Sequence, residues 1–205
     1  GKRMTSLLRY RTELAWREFY ADVLWHAPRS DWHDLTDALD GMQYDEPGEA
    51  FDAWREGRTG YPMVDAGMRQ LLAEGWMHNR VRMLTASFLV KDLHVWWPHG
   101  ARHFLDHLVD GDVASNNHGW QWTAGTGTDA APYFRVFNPV LQGQRFDPEG
   151  EYVRRWVPEL RHVAGGAVHE PWKVDGAYDE DYPERILDHK EERAEALRRL
   201  EATKR

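Results

Sequence analysis

Apolar residues recur at helical spacing along most of the chain, and the strict alternation that marks strands is nearly absent. Leu7, Leu8, Tyr10, Leu14, Trp16, Tyr20 and Leu24 predict a helix over residues 4–25 that Pro28 stops, with Ser30-Asp31 as a turn or a new cap. Residues 40–48, with Asp40-Gly41 and Pro47-Gly48, read as loop. A short helix from Glu49 to Glu56 ends on Gly57, and another from Val64 to Glu74 ends on Gly75. Glycine takes the left-handed conformation that closes a helix at least steric cost.

His78 to His94 reads as a strongly amphipathic helix. Pro98-His99-Gly100 is expected to break the chain before a helix resumes from Ala101 to Val109. Residues 113–124 have helical spacing, although Asn116-Asn117-His118-Gly119 is weak helix material. From Gly125 to Pro148 the pattern predicts loop with one short helical piece, followed by a short helix from Glu151 to Val157. Residues 164–183, with Gly165-Gly166 and Pro171, should be irregular and partly exposed. Glu184 to Lys204 should be a charged helix facing solvent. The fold class is all-α.

Composition narrows the function. The 205 residues suffice for one domain with a buried core, and 13% aromatic residues disfavour disorder. The absence of cysteine excludes a disulfide scaffold, a cysteine-ligated zinc site, an iron–sulfur cluster and a thiol nucleophile. No apolar run approaches the roughly 20 residues of a membrane span, so a cytoplasmic protein with no membrane partner is expected. A formal charge of −8 argues against a generic nucleic-acid-coating protein and leaves room for a local basic patch. Eleven tryptophans are several times the usual share and require a reason.

Two familiar patterns carry nothing. Gly125-Thr126-Gly127-Thr128-Asp129-Ala130 fits a dinucleotide fingerprint in letters, but Trp120-Gln121-Trp122 precedes it and Pro132 follows, where a strand and a helix are needed. His103 and His107 share a helix face without a third ligand of convincing spacing, so no metal site is expected. Four clusters mix aromatic and polar side chains. Glu13, Trp16 and Arg17 suit a flat, polar-edged ligand, or else a Glu13–Arg17 ion pair beside a core tryptophan. Asn79 and Met83 sit four residues apart, with Arg80 and Arg82 pointing elsewhere. Asp110-Gly111-Asp112, followed by Asn116-Asn117, is a turn able to accept from ligand N–H and hydroxyl groups, or to bind a cation. Trp120-Gln121-Trp122 continues through Thr126 to Arg135.

The strings Glu-Leu-x-Trp-Arg-Glu-Phe-Tyr, Gly-Tyr-Pro-x-Val-Asp-Ala-x-Met-Arg-Gln-Leu, Gly-Trp-Met-His-Asn-Arg-x-Arg-Met, Asp-Gly-Asp and Asn-Asn-x-Gly-Trp-Gln-Trp resemble the flavin-binding half of the photolyase/cryptochrome family. The resemblance covers roughly residues 5–190. It implies a helical FAD-binding domain whose reduced flavin, excited by blue light, donates an electron to a pyrimidine dimer flipped out of UV-damaged DNA. It implies that Tyr10, Arg17, Asn79, Arg82, Asp110, Gly111, Asp112 and Asn116 face the flavin, with Arg82 pairing with Asp110 and Asn116 beside flavin N5. Glu13, Trp16, Met83 and Trp122 match the lesion pocket, and Asn79 and Asn116 complete the catalytic set. Arg80, Arg135 and Gln142, together with Trp16, match DNA contacts.

By the same resemblance Trp120 and Trp97 are the first two carriers of an electron-hopping chain. Its surface tryptophan is replaced here by Tyr44. Trp76-Met77-His78-Asn79 with Met83 resembles the cyclobutane-dimer (class I) branch rather than the Trp-x-His-His pattern of (6-4) enzymes and animal cryptochromes. A photoreceptor without repair activity is the alternative, and a flavin-free helical domain is a third. The resemblance places an antenna domain, carrying methenyltetrahydrofolate or a deazaflavin, and the first helices of the flavin domain outside residues 1–205. The chain is therefore expected to be a monomer that binds FAD weakly or not at all by itself.

Overall fold

A computed structural model describes the backbone of residues 2–128 and 134–204, and side chains from Thr5 onward. Among these residues nine α-helices are joined by turns and short 3-10 segments, and the single β-bridge pairs Asp45 with Val95. The helices are α1 (Lys2–His26), α2 (Glu49–Glu56), α3 (Pro62–Glu74), α4 (Asn79–Lys91), α5 (Trp97–His107), α6 (Val113–Ala124), α7 (Pro139–Phe146), α8 (Glu151–Trp156) and α9 (His189–Thr203). No helix is long and apolar enough to cross a membrane among the described residues.

The core forms where α3, α4, α5 and α6 meet. Trp54, Met68, Leu71, Met77, Phe88, Leu89, Trp97 and Phe104 are all essentially inaccessible there. The α4 helix is not amphipathic as expected. Seven successive residues from Leu84 to Val90 are buried, because α3, α5, α6, α7 and α9 enclose its C-terminal half. It ends at Lys91 rather than His94, since His94 turns to a left-handed φ of 55°.

The expected break at Pro98-His99-Gly100 is the first turn of α5. Pro98 occupies a starting position where no amide donor is needed, and Gly100 lets α5 close on the Trp120 ring. Weak helix material does form α6, because its polar residues find partners. Asn117 Nδ2 donates to Asp31 O, Gln121 Nε2 donates to Ser30 O at 2.7 Å, and Gln121 Oε1 accepts from Leu35 N at 2.8 Å. His118 Nε2 meets the Ser30 hydroxyl at 3.0 Å. The inner face of α6 thus satisfies the segment following α1.

The stretch from 157 to 188 is irregular, as the glycines and prolines predict, yet it is more buried than expected. Val168, His169, Pro171, Ala177 and Tyr182 are all enclosed. Asp65, wholly buried, fixes it: its carboxylate accepts from Thr59 N (2.8 Å), Thr59 Oγ1 (2.6 Å), Gly60 N (3.0 Å) and Tyr182 Oη (2.6 Å). The last helix starts at His189, where Asp188 caps the amides of Lys190 and Glu191, five residues later than the charge pattern suggests. It is latched to the end of α4 by His189 Nδ1 on Asp92 (2.5 Å) and His94 Nε2 on Glu192 (2.8 Å).

Candidate flavin and lesion site

Two turns lie side by side at the N-terminal end of α4. Val109 N donates to Gly75 O at 2.9 Å, which joins the turn before α4 to the turn between α5 and α6. Arg82, one turn into α4, reaches Asp110 with Nη2 at 2.9 and 3.0 Å from the two carboxylate oxygens, and its Nε donates to Met77 O at 2.9 Å. Asp112 caps α6 by accepting from Ser115 N at 2.8 Å with Oδ1. Asn116 donates from Nδ2 to Ala101 O (3.1 Å) and to Asn117 Oδ1 (2.8 Å). Its two bonds are both donated by nitrogen, which leaves the amide oxygen directed elsewhere.

The exposed turn Asp110-Gly111-Asp112 therefore offers carboxylate oxygens, with an amide oxygen one helical turn away. A flavin presents an N3–H and ribityl hydroxyls as donors, joined in the reduced form by an N5–H. This set of acceptor oxygens fits those donors, and the two-bond Arg82–Asp110 pair fixes the turn's geometry.

Helix α1 crosses α6 with its C-terminal half. Arg17 lies close enough to Asp112 for the two charges to interact, although its hydrogen bonds go to Glu18 through Nε (3.2 Å) and Nη2 (2.7 Å). A Glu13–Arg17 pair is not formed. Glu13 stands exposed, as do Tyr10 and Trp16. Trp16 stacks on Tyr20 (5.8 Å, 28°), and Tyr20 stacks on the buried His118 (5.5 Å, 6°), so a column of rings runs from the surface into α6.

Asn79 and Met83 are neighbours on α4, with Nδ2 3.9 Å from Sδ. Trp122, half-buried, is on α6, which packs against α4. Arg80 lies over the Phe146 ring at 4.8 Å, and Arg145 approaches the same ring at 5.2 Å, giving a basic edge where α4 meets α7. Gln142, on that helix, keeps Oε1 buried and without a partner among the described residues. Arg135 is exposed, and its carbonyl accepts from Lys91 Nζ at 2.7 Å. The Asp129–Tyr133 part of the fourth cluster lies outside the described residues.

Trp120 is buried against Phe104 (4.9 Å) and Trp54 (6.1 Å), both edge-on. Trp97 is fully buried, and its Nε1 donates to Asp34 at 2.6 Å. Tyr44 is half-buried beside the Asp45–Val95 bridge, and its hydroxyl has no partner among the described residues. Burial first, then the Asp34 charge, pushes that phenol well above its usual range. His103 and His107 lie 4.4 Å apart, but the described residues hold no group of three metal-capable side chains. Burial, then His107, lowers His103 to about 4.

Sequence reasoning missed Asp34 and Lys91. Asn117 and Gln121 stood in the candidate clusters, but their role is structural: four apart on α6, they bond the segment after α1. Asp34 and Lys91 gave no readable signal, because their partners lie 63 and 44 residues away.

Residues 10–202 match the family model "FAD binding domain of DNA photolyase", and the chain belongs to that family. It is 54% identical to the deoxyribodipyrimidine photo-lyase of Escherichia coli over 195 residues, 94% of this chain and 41% of that one. It is 56% identical to the Streptomyces griseus enzyme of the same name, covering 89% and 40%. The crystal structure of a class III photolyase from Agrobacterium tumefaciens superposes with a TM-score of 0.91 at 46% identity, covering 96% of this chain and 42% of the other. A cryptochrome from Synechocystis superposes with a TM-score of 0.86 at 36% identity, covering 92% and 41%. The chain thus spans about 41% of the length of the curated relatives it matches.

Proposed function

We propose that residues 1–205 are the C-terminal part of the flavin- and lesion-binding domain of a deoxyribodipyrimidine photo-lyase, a carbon–carbon lyase that reverses cyclobutane pyrimidine dimers in DNA under blue light. The observation that carries this reading is the Arg82–Asp110 pair, held at 2.9–3.0 Å beside the Asp112 cap and Asn116. FAD, when bound in its reduced form, supplies the electron that opens the dimer.

The chain's own residues then divide the remaining work. Asp110, Gly111 and Asp112 would accept from the flavin's N–H and ribityl hydroxyls, and Arg82 holds Asp110 in place. The Asn116 amide would face the flavin's N5 edge, and Asn79 would border the same pocket. Tyr10 and Arg17 line the cofactor side from α1. Trp16 and Trp122 wall the flipped dimer, Met83 packs against it, and Glu13 hydrogen-bonds the damaged base and steadies its radical anion. Arg80, Arg135 and Gln142 meet the DNA backbone. A basic edge within a chain of charge −8 is sufficient, because only the footprint must be positive. Trp120, Trp97 and Tyr44 carry electrons toward oxidised flavin. The reading places a monomer on damaged DNA in the cytoplasm, with any antenna pigment held by another domain.

The test is blue-light reversal of a thymine-dimer oligonucleotide by the chain supplied with excess FAD and a reductant. Restored thymine absorbance supports the reading. Flavin binding and photoreduction without reversal would instead favour a photoreceptor, the reading for which the cryptochrome superposition speaks. Absence of any FAD binding, in this chain and in one extended at its N-terminus, would leave the helical domain without either role.

A further inference from the structure

Trp97 is the most enclosed of the proposed electron carriers, and its one polar atom is not left to solvent. The indole Nε1–H donates to Asp34 Oδ1 at 2.6 Å, across 63 residues of sequence. The two residues after Asp34 hold it in that place. Leu35 N donates to Gln121 Oε1 at 2.8 Å, and Thr36 N donates to Thr126 O at 3.2 Å, so its segment is pinned to α6 and the turn that ends it. The same helix carries Trp120. A negative charge is therefore fixed on the edge of one buried ring by the element that carries the neighbouring proposed carrier. The Trp120 indole nitrogen has no such acceptor among the described residues.

We propose that Asp34 is a positioning residue for electron transfer through Trp97: its carboxylate eases removal of an electron from that ring and takes the indole proton as the electron leaves. The inference rests on the assignment of Trp97 and Trp120 as carriers. The physical reason is charge. Losing an electron makes the indole ring cationic and its N–H far more acidic. A hydrogen-bonded carboxylate stabilises the cation, and Asp34, itself exposed, does so from the edge of the buried ring.

Photoexcited oxidised flavin is the oxidant and takes one electron from Trp120. One electron passes from Trp97 to refill Trp120. The Trp97 Nε1–H bond breaks, an O–H bond forms on Asp34, and Trp97 is left as a neutral indolyl radical. An external thiolate later returns one electron, becoming a thiyl radical, and the proton goes back from Asp34 to Nε1. Tyr44, whose hydroxyl is buried with no acceptor among the described residues, has no comparable exit for its proton. Oxidation therefore rests on Trp97 rather than passing on rapidly.

The experiment compares the wild-type chain with Asp34→Asn, which keeps an acceptor oxygen but removes the charge, and with Trp97→Phe. The first readout needs no flavin. In a chain labelled with nitrogen-15 tryptophan, the Trp97 indole N–H resonance is assigned by its loss in W97F. It should move upfield in D34N, while the other ten of the eleven indole resonances stay in place and report an intact fold. The second readout is flash photolysis with excess FAD. D34N should slow conversion of the indole radical cation to the neutral radical by on the order of tenfold or more, the equivalent of one pKa unit. An unmoved resonance, or an unchanged conversion rate, overturns the proposal. Light-driven flavin reduction that persists in W97F overturns the carrier assignment itself, and the proposal with it. Reduction blocked in W97F with normal radical behaviour in D34N removes Asp34 alone.

Discussion

Replacing Gly100 by alanine tests how α5 and α6 are fitted together. In an exposed helix the change would stabilise by about 1 kcal/mol, because alanine loses less backbone freedom than glycine. Here a Cβ built at Gly100 falls 2.2 Å from Trp120 Cη2 and 2.5 Å from Leu89 Cδ2. An ordinary carbon contact is about 3.5 Å, so the indole must retreat by roughly 1.3 Å. It has no room to do so, since Phe104 stands 4.9 Å and Trp54 6.1 Å from its ring. Overpacking of this kind costs about 1–3 kcal/mol, which outweighs the helix gain.

The expected outcome for G100A is a net loss of up to about 2 kcal/mol in urea unfolding, with altered Trp120 fluorescence. Gly119→Ala is the control. It lies in the neighbouring helix, α6, with nothing within 4 Å of its Cβ position, and should be neutral or gain up to about 1 kcal/mol. A G100A protein as stable as G119A would refute the close approach of α5 to Trp120.

Three further outcomes follow from the geometry. Glu13→Ala should lower dimer-reversal yield more than affinity for damaged DNA, and Arg135→Ala should do the reverse. Binding by gel shift and repair by absorbance separate them, and loss of binding alone in both would mean that the two roles are misassigned. Burial lowers Lys91 to about 7, so from about pH 7 to 10 the unfolded chain holds a proton that the folded chain has shed, and stability rises with pH across that window. Lys91→Met should remove that slope, which is at most about 1.4 kcal/mol per pH unit. Unfolding at about pH 7 and 9 reads it, and an unchanged slope would place the titration elsewhere. Asp65→Ala should cost about 3 kcal/mol or more, because it leaves four buried donors without their acceptor; a thermal midpoint within 2 °C of wild type would contradict this.

Elements whose ends are written in local chemistry were readable from sequence. Helix α2 runs from Glu49 to Glu56 and stops on Gly57 at φ 65°, and α3 stops on Gly75 at φ 66°, because only glycine takes that conformation cheaply. Elements that depend on distant partners were not. The four-residue run at 116–119 looks unfit for a helix until Asp31, Ser30 and Leu35 are seen to answer α6. Proline and glycine near residue 100 signal a break in isolation, and become a helix start and a close approach in the fold. The candidate site divides in the same way. Its aromatic and acidic residues stood out by type, and the Arg82–Asp110 contact followed from resemblance. The Trp97–Asp34 contact had no local pattern to betray it.

Asp65 also sets a timetable. Its buried carboxylate is complete only when the Tyr182 hydroxyl arrives, 117 residues later in the chain. Tyr61, a few residues before it, waits likewise for Leu187 and His189. At a synthesis rate of about 5–20 residues per second, those partners leave the ribosome roughly 6–23 s after Asp65 does. During that interval α3 is made but cannot close, and an acidic side chain destined for the interior stays in water. The order of emergence, as much as the final set of contacts, holds the core open until the C-terminal strap exists.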